Sequence, residues 1–125
     1  MSVEWFTNEK EKYATIYESS ITLNTVAANY FKNTYSTIIG FDKENNNLLI
    51  KPISKEEVDV RNISSDDLHS ISIKPSFGRI TGKNIIKKLI LFFPIDFKNS
   101  KSHKYICEWS NEEKLLKILL EREIK

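Results

Sequence analysis

Two stretches 59 positions apart carry the same pattern, and this echo limits the possible folds more than any other feature of the chain. Ile21-Thr22 returns as Ile80-Thr81. Val26-Ala27 with Tyr30-Phe31 returns as Ile85-Ile86 with Leu89-Ile90. In both copies a short apolar–polar strand end runs into apolar residues at i, i+1, i+4 and i+5, the spacing of one helix face.

The surroundings of the two copies also correspond. In the first, Tyr13–Tyr17 is rich in β-formers and reads as a strand, Glu18-Ser19-Ser20 as a turn and Ile21–Leu23 as a short strand. Asn24 or Thr25 is placed to cap a helix that runs to about Lys32. Thr34–Phe41 and Leu48–Ile53 read as strands joined by the Asn-rich turn 42–47, since Asn tolerates left-handed backbone. Pro52 places the end of the second strand on an edge. In the second copy, Ser70–Lys74 alternates as a strand and Pro75–Gly78 turns. Arg79–Thr81 is a short strand, and Lys83–Leu91 is a helix ended by Pro94. A long loop, 95–103, leads to strands Lys104–Trp109 and Leu115–Leu120, with Ser110–Glu113 as the turn. Lys114–Ile124 has a competing helical reading, and Glu121–Lys125 reads as a charged tail. Between the copies, the acidic, Ser-rich stretch 54–69 reads as a solvated linker with room for one short helical turn, and Ser64–Asp67 resembles a cap that leads nowhere long. Residues 1–12 are polar apart from Val3, Trp5 and Phe6, and read as a loose start or a short helix over Asn8–Tyr13.

A unit of about 50 residues buries too little surface to be comfortably stable alone. Two such units can share one core if their hairpins interleave, which also removes exposed sheet edges. The expected fold is therefore α+β and mainly β. It has two tandem β-β-α-β-β repeats, 13–53 and 70–121, forming one pseudo-twofold interleaved barrel with two short helices. At 125 residues, 40% of them hydrophobic, the chain suits a single globular domain and is too apolar for disorder. Cys107 is the only cysteine, so no intrachain disulfide can form. The N-terminal stretch is charged where a secretory signal needs an apolar run. The longest apolar run, Leu89–Phe93, is far short of the roughly 20 residues that span a bilayer. The expected location is the cytoplasm.

Enzyme motifs are missing from the sequence. The three glycines, Gly40, Gly78 and Gly82, build no phosphate-cradling loop, and no nucleophile elbow occurs. His103 and Cys107 lie four apart in a strand-like stretch and His69 is distant, which does not make a zinc site. Cys107 reads as a small core hydrophobe rather than a nucleophile. No catalytic residue, metal or cofactor is expected.

Charge is the remaining signal. Between Lys74 and Lys104 there are eight basic residues and one acidic residue, Asp96. Such a patch suits phosphate, though it also suits a plain solvated surface. Phe77, between Lys74 and Arg79, is the one aromatic placed among basic residues; it serves either as a stacking platform or to close the hairpin core. Phe92, Phe93 and Phe97 read as covers for a barrel end.

Gly78-Arg79-Ile80 before a short helix and a hairpin resembles the G-R-I-x-I-P signature of the AbrB/MraZ-type swapped-hairpin family of bacterial regulators and antitoxins, whose MraZ-like members carry two copies in one chain. The chain departs from that signature at Thr81-Gly82-Lys83. The first copy has Asn24 for the proline and Ser19-Ser20 for Gly-Arg. The resemblance implies double-stranded DNA as partner, met by one half more than the other. Lys74, Arg79, Lys83, Lys87 and Lys88 would contact phosphates, with Arg79 forked toward a base. Five such contacts imply roughly a 10²–10³-fold loss of affinity from 50 to 200 mM salt. The competing reading is a non-enzymatic module for self-association or for a protein partner. Convergence of the five basic residues on one convex face favours DNA; dispersal favours the module.

Overall fold

The computed structural model describes residue 2 and residues 11–125. The expected helix over Asn8–Tyr13 falls largely outside those residues, and Trp5 and Phe6 fall wholly outside them. The first four elements follow the sequence closely. Strands β1 (Tyr13–Tyr17) and β2 (Ser20–Asn24) form a hairpin, with Ala14, Ile16, Ile21 and Leu23 buried on one face. Helix α1 (Thr25–Ala28) continues as a 3-10 turn, Asn29–Phe31. Asn24 caps it: the side-chain Oδ1 accepts from Ala27 N at 3.1 Å and from Tyr13 N at 3.2 Å, while Nδ2 donates to the Glu11 carbonyl at 2.7 Å. Asn24 thus ties the helix start to the head of β1.

Strands β3 (Ser36–Asp42) and β4 (Asn47–Ile53) meet around a turn where Asp42 accepts from the backbones of Glu44 and Asn45, and Asn46 is left-handed at φ 54°. Pro52 is tolerated because β8 reaches β4 only at Asn47–Ile50, leaving that flank open at Pro52.

The stretch 54–69 is a correction to the linker reading. It holds helix α2 (Lys55–Arg61), a third helix where two were expected, and a 3-10 turn at Ser65–Asp67. No residue of α2 is buried, so apolar periodicity could not announce it. Its ends hold it. Ser54 and Glu57 form a capping box, acidic residues fill the first turn, Arg61 sits in the last, and Asn62 ends it in the left-handed region.

In the second half, β5 shrinks to Ser72–Ile73 and β6 grows to Phe77–Thr81, because β2 offers β6 a five-residue ladder. Helix α3 (Lys83–Phe92) buries Ile86 and Leu89. Strands β7 (Ser102–Ser110) and β8 (Leu115–Ile124) close the chain. The charged tail is strand as far as Ile124, which pairs with Lys104 past an irregularity between Tyr105 and Cys107; the helical alternative for 114–124 does not hold.

All pairings are antiparallel, and the eight strands curl into a half-barrel sheet in the order β3-β4-β8-β7-β1-β2-β6-β5. The two terminal strands are linked by one bridge: Thr37 of β3 exchanges backbone hydrogen bonds with His69, just ahead of β5. The core cluster draws on both halves, with Ile16, Leu23, Phe31 and Ile50 packed among Ile80, Ile86, Tyr105 and Ile118. Among the described residues, no helix is long and apolar enough to cross a membrane.

Candidate nucleic-acid interface

Arg79 points outward because its neighbours Gly78 and Ile80 point inward. Register then builds a row across five strands: Ser72, Arg79, Thr22, Thr15 and Lys104 are successive cross-strand partners. None is buried, and none is acidic. The acids nearest along β1 are Glu11 and Glu18, which flank it, and Glu11 accepts from the Tyr13 hydroxyl at 2.9 Å. Three strand spacings of about 4.8 Å put the Arg79 and Lys104 backbones about 14 Å apart, comparable with the ~12 Å width of the DNA major groove.

Each cation of the row rests on an aromatic ring of its own strand or its neighbour. The Arg79 guanidinium lies 5.0 Å from the Phe77 ring centroid, and its Nε donates to Thr22 Oγ1 at 3.3 Å. The Lys104 ammonium lies 4.4 Å from the Tyr13 ring. Such stacking fixes direction without neutralising charge. Phe77 is half-buried beneath Arg79, so it supports the cation rather than offering an open face for a base.

The other basic residues do not join this row as a set. Lys74 lies in the β5–β6 turn, where its N–H donates to the Phe77 carbonyl at 2.8 Å, so it stands at the Phe77 end of the same face. Lys83, Lys87 and Lys88 are exposed on α3, beyond the opposite end of β6. Lys83 and Lys87 border a hollow with Ile95, Asp96 and Phe97, whereas Lys88 borders a different one near His69. The five residues are therefore spread over three places. Lys104 was not among the sequence candidates: its outward direction is legible from the alternation of Lys104–Trp109, but its position beside Thr15 depends on pairing between residues 89 apart.

The remaining candidates have structural surroundings. Cys107 is buried, and burial pushes its thiol up to about 12 against a small opposing effect of Lys12. Burial likewise pushes the Tyr105 phenol up to about 12. Both ring nitrogens of His103 face acceptors, Glu123 Oε2 at 2.8 Å and the Asp96 carbonyl at 2.7 Å. Burial pulls its pKa down, but these two partners outweigh that and hold it above the ordinary imidazole value. His69 goes the other way, lowered by burial and by Lys88 against Asp67. Among the described residues, no three His, Cys, Asp or Glu side chains are grouped to hold a metal ion. Phe92 stacks on Phe41 at 5.1 Å, and Phe97 meets the His103 ring edge-on at 5.6 Å.

No family model matches the chain, and no curated protein or solved structure matches it either.

Proposed function

We propose that the chain is a DNA-binding barrel of the AbrB/MraZ-like swapped-hairpin type, which meets duplex phosphates through the outer face of β6, β2, β1 and β7. The observation that carries this reading is the acid-free row from Arg79 to Lys104. Lys74 at the end of β6 adds a third cation. The five sequence-selected residues are dispersed, which by the criterion set from the sequence favours the protein-interaction module; the DNA reading rests instead on the Arg79–Lys104 row, with Lys104 in place of the α3 lysines.

The pairing registers support the interleaved-repeat reading behind this proposal. In the β2–β6 ladder Ile21 pairs with Ile80, its own 59-residue counterpart, so a 59-residue shift exchanges Ser20↔Thr81 with Thr22↔Arg79. In the β4–β8 ladder Leu49 pairs with Lys117, 68 residues on, and a 68-residue shift exchanges Leu48↔Ile118 with Ile50↔Leu116. The same 68 residues separate the left-handed turn residues Asn46 and Lys114. Each hairpin also reaches into the other half, β7 onto β1 and β3 onto His69.

Three phosphate contacts imply a loss of affinity of about forty-fold between 50 and 200 mM salt. Fluorescence anisotropy with a random duplex tests this. Arg79→Ala with Lys104→Ala should abolish most of the binding and flatten the salt slope, while Lys87→Ala with Lys88→Ala should leave both nearly unchanged. Binding that ignores salt, or that depends on the α3 pair instead, refutes the assignment. The competing reading, a protein-interaction module without DNA binding, predicts flow-through on heparin at moderate salt.

A further inference from the structure

A half-open hollow of about 530 Å³ lies at the seam of the half-barrel, beside the Thr37↔His69 bridge that links the two ends of the sheet. That volume falls within the roughly 300–1,000 Å³ usual for small-molecule sites. β3 supplies Ile39 and Phe41 to its wall. α3 supplies Ile85, Leu89 and Phe92, which recur at helical spacing on one face. Phe92 stacks on Phe41, so one end of this apolar floor is aromatic.

The rim of the hollow carries both signs of charge, Arg61 and Lys88 against Asp66 and Asp67. The ion pairs among the described residues lie elsewhere, at His103–Glu123 and Lys117–Glu113, so these four are not joined in short pairs with one another. The two acids differ in this from other turn acids of the chain. Asp42 and Asp96 each accept from backbone N–H groups and from an asparagine of their own turn. The turn Ser65–Asp67 is capped by the Ser64 hydroxyl instead, which leaves its carboxylates outside the capping. The two signs also meet around one point. Asp67 and Lys88 both act on His69, Asp67 raising its pKa and Lys88 lowering it, while burial has the largest effect and holds it below the ordinary imidazole value. At neutral pH the ring therefore offers a donor and an acceptor to the hollow but no charge.

A charge-balanced rim over an apolar floor is a poor site for a simple anion or cation, since each is attracted by one pair of side chains and repelled by the other. A zwitterion gains from both. An α-amino acid bears its ammonium and its carboxylate on a single carbon, which matches opposite charges gathered around one point. We infer that the seam hollow binds a free α-amino acid with a large apolar side chain. Its carboxylate meets Lys88 and Arg61, its ammonium meets Asp67 and Asp66, and its side chain enters between β3 and α3 against Phe41 and Phe92. No residue of the Arg79–Lys104 row lines the hollow, so this site and the DNA-binding face stand or fall separately.

L-phenylalanine and L-leucine serve as probes, titrated into the ¹⁵N-labelled full chain without DNA. They should shift the amides of Ile39, Phe41, His69 and Lys88. Glycine, with the same charges and no side chain, should bind at least about tenfold more weakly. N-acetyl-L-phenylalanine lacks the ammonium and L-phenylalaninamide lacks the carboxylate, and each should lose roughly tenfold against phenylalanine. Lys88→Gln should weaken phenylalanine several-fold and not weaken the amide. Asp67→Asn should weaken phenylalanine several-fold and not weaken the N-acetyl compound. Both side chains are exposed, so the spectrum of the unliganded variants should otherwise match that of the native chain. Glycine or either derivative binding as tightly as phenylalanine overturns the inference. So do variants that bind phenylalanine as the native chain does, or the absence of shifts with both probes at millimolar concentration.

Discussion

Replacing Gly78 with alanine tests why a glycine stands in the repeated segment. Gly78 is buried in β6 opposite Leu23, and its φ is not positive, so backbone freedom does not explain it. Space does. An added Cβ would lie 3.1 Å from Ala28 Cβ, 3.1 Å from Ile73 Cδ1 and 3.5 Å from Ile71 Cδ1. The isoleucine atoms are the ends of flexible side chains and can swing away. Ala28 Cβ is fixed to the backbone of α1 and can move only with the helix. Overpacking of this kind costs about 1–3 kcal/mol, and the lower chain entropy of alanine returns about 0.5–1 kcal/mol. The expected net loss is about 1 kcal/mol, or roughly 4 °C in Tm for a chain of this size. Urea unfolding followed by tryptophan fluorescence measures it. Ala28→Gly removes the opposing methyl at a helix cost of its own of about 1 kcal/mol, so the double variant should be more stable than the sum of the two singles by at least about 0.5 kcal/mol. A neutral or stabilising Gly78→Ala, or strict additivity in the double variant, would refute the close approach of α1 to β6.

Two further outcomes follow from the titrating groups. The folded-state pKa of His103 is raised, so its bonds to Glu123 and Asp96 add stability that is complete below the unfolded imidazole value of about 6.5 and is lost as pH rises through the folded value. Unfolding free energies measured across neutral pH should show that decline in the native chain and not in His103→Gln; an unchanged profile would remove His103 as the clasp between β8 and the 94–101 loop. Cys107, buried and pushed up to about 12, should react with a thiol reagent only as fast as the protein opens, and added urea should speed the reaction. Stoichiometric labelling within seconds in native buffer would place the thiol at the surface.

Where local chemistry decides, the sequence is a sufficient guide. The Asn-rich turn at 42–47, the Asn24 cap and the alternation of Tyr13–Tyr17 each rest on neighbours within a few residues. α2 was legible in principle, since Ser54 and Glu57 have capping-box spacing, but its lack of any buried face hid it behind a linker-like composition. β8 was cut short because Glu121-Arg122-Glu123 looks like a solvated tail; it is held as strand by Lys104 and Tyr105, on another strand. The cross-strand row was hidden for the same reason. Charge density along the chain favours α3, whereas the cross-strand row joins Arg79 to a lysine 25 residues away through two threonines from the other half.

Amide mapping by ¹⁵N NMR during titration with a short duplex tests the location of the interface most directly. Shifts should appear at Arg79, Thr22, Thr15 and Lys104, fade as salt rises, and leave α3 unaffected. Shifts centred on Lys83–Lys88, or none at low salt, would contradict the assignment of DNA binding to the outer sheet face.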